Sequence, residues 1–460
     1  MKLLEEDIPP AEGRGQTIAD LIAGHDPNDL LVGHNYYHND NDIRGRQIWF
    51  YENGQKKVDP EATNHRVPHN WHKILVDQKV AYLLGQKPVI STDDKQFEEE
   101  LNALLGKTWA DRLLELGKNA SNKGREWLHP YLDETGNFRY VIIPAEQCIP
   151  IFDTDYEQTV VAMLRYYPAI VGGTEVVRAE WWTPDDVSTY QEASGTYILV
   201  ATDPHFTLNG AGMGWGRVPF IEFANNEERY GDLRYYKELI DVYDLVVSDL
   251  ANDLTGIQKL LFVLKGYGGQ SLAEFMQNLR YYRAIQVDPE AGAGVDTIGI
   301  DPAITAIDSF LDRQEENIFL FGQGVNVKTD RFGAAPSGIA LKFLYGLLDL
   351  KSNIMARRFS PAIEDLCWYA AKYLELKGVG NFDPSTVGIT YHKSLVINDL
   401  EISQIAVQSL GLISQETIIA HHPWVDDGKA ELERLRAEQE DKVDLSGYLD
   451  DEETESATGE

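Results

Sequence analysis

Three histidines, His65, His69 and His72, lie close together and are spaced like metal ligands. A zinc site needs a complete donor set on a continuous frame. Pro68 breaks helical continuity between the first two, and no carboxylate completes a zinc pattern. Packing or capping is therefore the expected role, with a metal-dependent or hydrolytic α+β enzyme built on this region as the alternative. The run His38-Asn39-Asp40-Asn41-Asp42 offers hard oxygen donors but lacks the glycine and distal glutamate of a calcium loop, so it reads as a polar turn. Gly322-Gln323-Gly324, followed by Val325-Asn326-Val327-Lys328, invites a phosphate, yet the chain holds no GxxxxGK[ST] and Lys328 stands at another spacing. Ser337, within APSGIAL, makes no GxSxG elbow and reads as a helix N-cap. Asp185-Asp186 and Asp426-Asp427 could serve acid–base work, but 74 acids make such pairs ordinary on a solvated surface. No catalytic residue, cofactor or bound metal is expected.

The elements carrying these residues are mostly helical. In Leu239–Ile257, Leu239, Tyr243, Val246, Leu250, Leu254 and Ile257 recur every three or four residues and share one helical face. Asp241, Asp244, Ser248 and Asn252 fall opposite. Lys259 is the first cation after Lys237, so ion pairing along the helix leaves those acids unmatched, and they should face water or a partner. A water-filled channel would suit them. Asp301-Pro302 opens a second helix with an apolar stripe of Ile304, Ile307, Leu311 and Ile318, ending at Gly322. The loop Gly322–Gly338 carries glycine at four places and should be mobile or sharply bent. A third helix from Ser337 to Phe359 sets Ile339, Phe343, Leu347, Leu350 and Ile354 along one side, long enough for a strut.

Elsewhere residues 1–24 read as weakly ordered, and helices are expected at Trp71–Leu84 and near Phe97–Gly117. From 138 to 223, FRYVIIP, TVVAMLRYY, TEVVRAEWW and TYILVAT are β-branched or aromatic runs divided by turns, the pattern of an antiparallel sheet. The insert from 259 to 301 opens with LLFVLKGY and closes with VDTIGID, a small α/β domain between two helices. The fold class is thus α+β, predominantly helical.

With 460 residues, 43% hydrophobic and 25% charged, the chain can bury more than one core. Its net charge of −33 argues against gripping nucleic acid by phosphate neutralisation. Two cysteines, Cys148 and Cys367, are too few for a disulfide framework, so a reducing compartment is expected. MKLLEEDIPP has no apolar h-region, and no run approaches the roughly 18 apolar residues of a membrane span. Synthesis in a bacterial cytoplasm and no membrane association follow as expectations.

Taken in order, VPFIEFANNEE (218–228), LIDVYDLVVSDLANDL, the insert, SGIALKFLYGLL (337–348) and LISQETIIAHHPWVDDGKAELERL (412–435) resemble the portal proteins of tailed double-stranded DNA bacteriophages. NHRVPHNWHKILVDQKVAYLLGQKPVIS (64–91) fits the same subgroup, typified by siphophages of Bacillus. The resemblance implies a non-enzymatic subunit of a cyclic homo-oligomer, a dodecamer, at one capsid vertex of the virion. It implies a wing at 25–230, stem helices at 231–258 and 303–321, a clip at 259–302 and a tunnel loop at 322–338. A long wing helix with a return segment then occupies 339–398, crown helices 399–440 and a disordered acidic tail 441–460. Double-stranded DNA would pass through the ring, past Asp241, Asp244, Ser248 and Asn252 of the stem. The tunnel loop would present Val325, Asn326 and Val327, with Lys328 and Arg331 either touching phosphates or pairing with acids. The clip would dock the terminase large subunit and later the neck adaptor through Tyr267, Arg280, Tyr281 and Arg283, though its aromatics could equally be local core. Major capsid and scaffolding proteins would be further partners.

Overall fold

The computed structural model describes residues 8–60, 62–154, 159–208, 210–255, 260–265, 294–299, 304–326, 338–393, 406–420, 422, 425, 428 and 430–438. The chain divides into two compact units, residues 1–326 with 347–393, and 327–346 with 394–460. The first unit contains α1 (Gly15–Ala23), α2 (Asn28–Tyr37), α3 (Trp71–Leu84), α4 (Lys95–Leu105), α5 (Trp109–Lys123), α6 (Lys237–Thr255) and α7 (Ile304–Phe321). The long α8 (Gly338–Leu376) starts in the second unit and runs into the first; α9 (Gln415–Ala420) lies in the second.

The short strands β1 (Trp49–Glu52) and β2 (Gln55–Val58) form a hairpin, and β3 (Val89–Ser91) precedes α4. Next come β4 (Arg125–Leu132) and β5 (Phe138–Ile143), and then the meander β6 (Cys148–Phe152), β7 (Val160–Val171), β8 (Thr174–Trp182), β9 (Asp186–Ala193) and β10 (Thr196–Pro204). The meander is the expected antiparallel sheet, ordered β10-β9-β8-β7-β6. Its inward side chains alternate as a half-buried sheet requires, Ala162 and Leu164 on β7, Ala179 and Trp181 on β8, Tyr190 on β9. They are covered by α1, whose Ile18 is fully buried among them. Arg14 stacks over Trp181, and the Tyr190 hydroxyl donates to the Ala11 carbonyl at 2.9 Å. Residues 9–23 are therefore part of the fold, not the weakly ordered arm the acidic start suggested, because Ile18 supplies the apolar face this sheet needs.

After β11 (Phe206–Leu208) and β12 (Ala211–Met213), β13 (Ile221–Ala224) pairs with β4, which also pairs with β5. This small sheet meets α3, α4, α5 and α8 in the largest core, where Leu128, Phe138, Ile221 and Phe223 join Leu113, Leu116, Phe359 and Leu366. The pairs β14 (Leu260–Lys265) with β15 (Gly294–Gly299), and β16 (Gly388–Thr390) with β3, complete the strands. The first of these falls where LLFVLKGY and VDTIGID predicted strands.

Two helical expectations need correction. The helix expected near Phe97–Gly117 is two helices, because the chain turns at Gly106, whose φ of +67° is one that glycine adopts freely. Helix α8 runs on past Phe359, through Pro361, to Leu376. Its stripe of Phe343, Leu347, Leu350 and Ile354 is exposed, whereas Leu348, Ser352, Met355 and Phe359 are buried. Apolar spacing alone identified a face but not the side that the core takes.

Candidate functional site

The region expected to act as a conduit is built on α6 and α7, which pack against each other beside α3. Both are rooted in one buried polar cluster. Lys79 of α3 sends its ammonium to Asp232, just before α6, at 2.9 Å, and Lys351 of α8 reaches the same carboxylate oxygen at 2.9 Å. Lys351 also donates to the carbonyl of Gly322, immediately after α7, at 2.9 Å, so one lysine ties the start of α6 to the end of α7. Asn225 donates to the second Asp232 oxygen at 2.9 Å. Burial pushes the Lys79 ammonium down to about 8, and although burial also opposes a charged Asp232, Lys351 and Lys79 hold its carboxyl well below the usual range.

Beside it His72, fully buried, accepts from the Tyr236 hydroxyl at Nδ1, 2.7 Å, and donates from Nε2 to Asn122, 3.0 Å. That pattern describes a neutral ring, and burial lowers its pKa to about 4. Sequence reasoning missed this cluster. The available signal was Lys79 itself, four residues from Leu75 and four from Leu83, on the buried face of α3.

The polar face of α6 is not a channel lining within the subunit. Asp244 and Ser248 are 0% exposed. They are covered by the irregular segment 65–69, whose backbone N–H groups lack strand or helix partners and need acceptors. Asp244 accepts from His69 N at 2.9 Å, Ser248 from Val67 N at 3.0 Å and Asn252 from His65 N at 2.6 Å. The match is geometric, since four helical residues rise about 6 Å and two extended residues span about 6.6 Å. Every fourth side chain of α6 thus meets every second N–H of the segment. Asp244 also accepts from Asn41 at 2.6 Å and from His69 Nδ1 at 2.7 Å. Asp241 is held by the Tyr36 hydroxyl and by Lys237 at 2.7 Å, and Arg46 pairs with Asp249. Apart from Lys237, one turn before Asp241, the missing cations and donors come from residues 36–69, remote in sequence, which is why reading the helix alone misassigned its face.

The same histidines answer the metal reading. His65 bonds Thr255, His69 bonds Asp244 and His72 bonds Tyr236 and Asn122. Among the described residues no group of three or more His, Cys, Asp or Glu gathers as a metal site. The run at 38–42 is a turn, with Asn39 at φ +61°, and Cys148 and Cys367 are both free and buried.

Val325 is the second correction. It is 3% exposed, and its N–H and carbonyl make paired hydrogen bonds with the Gln78 side chain at 2.9 Å each. A Cβ on Gly322 or Gly324 would come within 2.5 Å of Leu75. The loop thus begins as a turn packed onto α3, not as a mobile tip. Val325→Asp should lower the thermal midpoint and cost more than about 2 kcal/mol, since a buried valine is lost and a charge enters its place. Thermal melting checks this; an unchanged midpoint would show Val325 to be surface. Asn326 follows it, while Val327, Lys328 and Arg331, like Tyr267, Arg280, Tyr281 and Arg283, lie outside the described residues.

The family described as phage portal protein, SPP1 Gp6-like, matches residues 24–444. The portal protein of Bacillus phage SPP1 is 37% identical over 454 residues, 96% of this chain and 90% of that protein. The chain belongs to the SPP1 Gp6-like phage portal family. The portal protein of Clostridium phage phiCD119 is 32% identical over 441 residues, 92% of this chain and 95% of that protein. A chain of the solved structure "Neck of native GTA particle computed with C12 symmetry" is 12% identical, with a TM-score of 0.42 over 89% of this chain and 98% of its own length. The function of this portal-family chain is that of a phage portal protein, a virion component. The family match takes in α6, α7, the insert between them and the loop after Gly322. Among the described residues, no helix is long and apolar enough to cross a membrane.

Proposed function

We propose that this portal-family chain works as a cyclic homo-oligomer, a dodecamer in the virion, at one capsid vertex. Its channel passes double-stranded DNA during packaging and ejection, without chemistry of its own. Residues 259–302, including Tyr267, Arg280, Tyr281 and Arg283, form the clip that docks the terminase large subunit and then the neck adaptor. Residues 322–338 form the tunnel loop, rooted by buried Val325 and carrying Asn326, Val327, Lys328 and Arg331. Residues 25–230 form the wing, 339–398 its long helix and return segment, and 399–440 the crown, with major capsid and scaffolding proteins as outer partners. The chain is made in the host bacterial cytoplasm.

One observation carries this reading. Helices α6 and α7 leave a common buried root, where Lys351 bridges Asp232 and Gly322, and the insert lies between their far ends, where β14 and β15 pair. An element so carried is presented away from the core. The net charge of −33 supports a conduit, since an acidic lumen repels a duplex and lets it slide. Electron microscopy of the purified protein should show rings with an axial hole of duplex width, and added salt should strengthen assembly by screening the repulsion between acidic copies. A monodisperse monomer or dimer at micromolar concentration and moderate salt would overturn the ring.

A further inference from the structure

Among the described residues, the hairpin β1–β2 joins none of the buried cores of its own subunit. Asn53 and Gly54, at φ +51° and +76°, close it with the turn that favours hairpins, and Asp59 N bonds Ile48 O at 2.8 Å at its base. The register pairs Trp49 with Val58 and Tyr51 with Lys56, so these four side chains share one face. All eight strand residues are exposed, Tyr51 at 74% and Trp49 at 45%. An isolated two-stranded sheet is marginal in water, both strands are open edges among the described residues, and an exposed aromatic face is a cost that a partner removes.

The Trp49 and Lys56 side of the hairpin also forms one wall of a cleft of about 690 Å³. Arg46 stands on that wall and Lys56 lies over the Trp49 ring at 4.7 Å; Asp249 and Asp253 of α6 form the other wall. The facing helix is fixed by its hydrogen-bond ladder to residues 65–69, so the cleft is framed by a firm wall and a projecting arm.

We infer that this hairpin is an arm by which one copy of the chain grips a second copy, inserting Trp49, Tyr51 and Val58 into its neighbour. The inference rests on the ring reading above and names one of its contacts. Charge selects the occupant. Residues 44–66 hold five basic residues against three acids, in a chain of net charge −33. The surface most complementary to the arm is therefore that of another copy. A ring requires heterologous patches, a projection on one side and a receptor on the other. Duplex DNA is the weaker occupant, because Asp249 and Asp253 line the same cleft and the face presents Trp49, Tyr51 and Val58 with one cation, Lys56.

The test places a benzoylphenylalanine photo-cross-linker at Tyr51 in the full chain and irradiates a mixture of isotopically heavy and light protein. Mixed-isotope cross-linked peptides are expected; cross-links confined to one chain, or captured by added duplex DNA in their place, overturn the arm. In parallel, the triple variant Trp49→Ser, Tyr51→Ser, Lys56→Glu should raise the concentration for half-assembly at least tenfold while circular dichroism and melting stay unchanged. Unaltered assembly of that variant also overturns it. Rings without mixed-isotope cross-links would remove the arm and leave the ring; mixed-isotope cross-links without rings would do the reverse.

Discussion

Asp232→Ala should be among the most damaging single substitutions in this protein, with an expected loss of about 3–5 kcal/mol and a correspondingly lower unfolding midpoint. The carboxylate is 3% exposed and faces two ammonium groups, Lys79 and Lys351. Removing it leaves both cations without their counter-ion, and Lys79, 1% exposed, has no water to turn to. The magnitude comes from that stranded charge, not from the intrinsic worth of the pair. The double variant Asp232→Ala, Lys79→Met should therefore be more stable than Asp232→Ala alone, because methionine fills the same volume without the charge. Equilibrium unfolding of both variants checks the sign. A double variant as unstable as the single, or worse, would place the cost elsewhere. Because the same cluster ties the start of α6 to the end of α7, assembly of Asp232→Ala should weaken along with its fold.

What the sequence made legible follows from where each interaction partner lies in the chain. Helix α3 could be read from Trp71 to Leu84 because its limits depend on residues within a few positions. The meander could be read because β-branched runs and their turns are local. The face of α6 could not, since the N–H groups satisfied by Asp244, Ser248 and Asn252 lie some 170 to 190 residues away. Asp241 fails as a free channel acid only partly for this reason: Tyr36 is remote, but its ion-pair partner Lys237 stands one helical turn before it. Val325 reads as a loop tip until Gln78 is seen to pair with its backbone. The β1–β2 hairpin was legible in principle, because Asn53-Gly54 between short aromatic and β-branched runs is a strong local signal. Family resemblance filled part of this gap: the ordered segments from 218 to 435 pointed to a portal protein, as the family match over 24–444 shows. It did not indicate which side of α6 or α8 faces the core.

Acidification should destabilise the fold between about pH 6.5 and pH 4, through two buried histidines. Burial lowers His72 and His129 each from 6.5 to about 4. The native state therefore binds fewer protons than the unfolded chain in this window. Their contribution is present in full above 6.5 and is lost as pH falls toward 4, about 3 kcal/mol for each ring. Glu126 works in the opposite direction. Burial raises it from 4.5 to about 7 despite Lys123 at 3.0 Å, so the folded state takes up its proton first and gains stability as pH falls. That gain, also about 3 kcal/mol, offsets one histidine and leaves a net loss of about 3 kcal/mol from these three groups. The opposed signs separate them. His129 donates from Nδ1 to the Pro219 carbonyl at 2.6 Å, a bond that an asparagine amide can reproduce without titrating, so His129→Asn should flatten the acid limb by one proton. Glu126→Gln, with Lys123 still paired to Glu146 at 2.7 Å, should steepen it. Urea unfolding at several pH values between 4 and 7 measures both slopes, and equal slopes in the wild type and the two variants would assign the acid sensitivity to other groups.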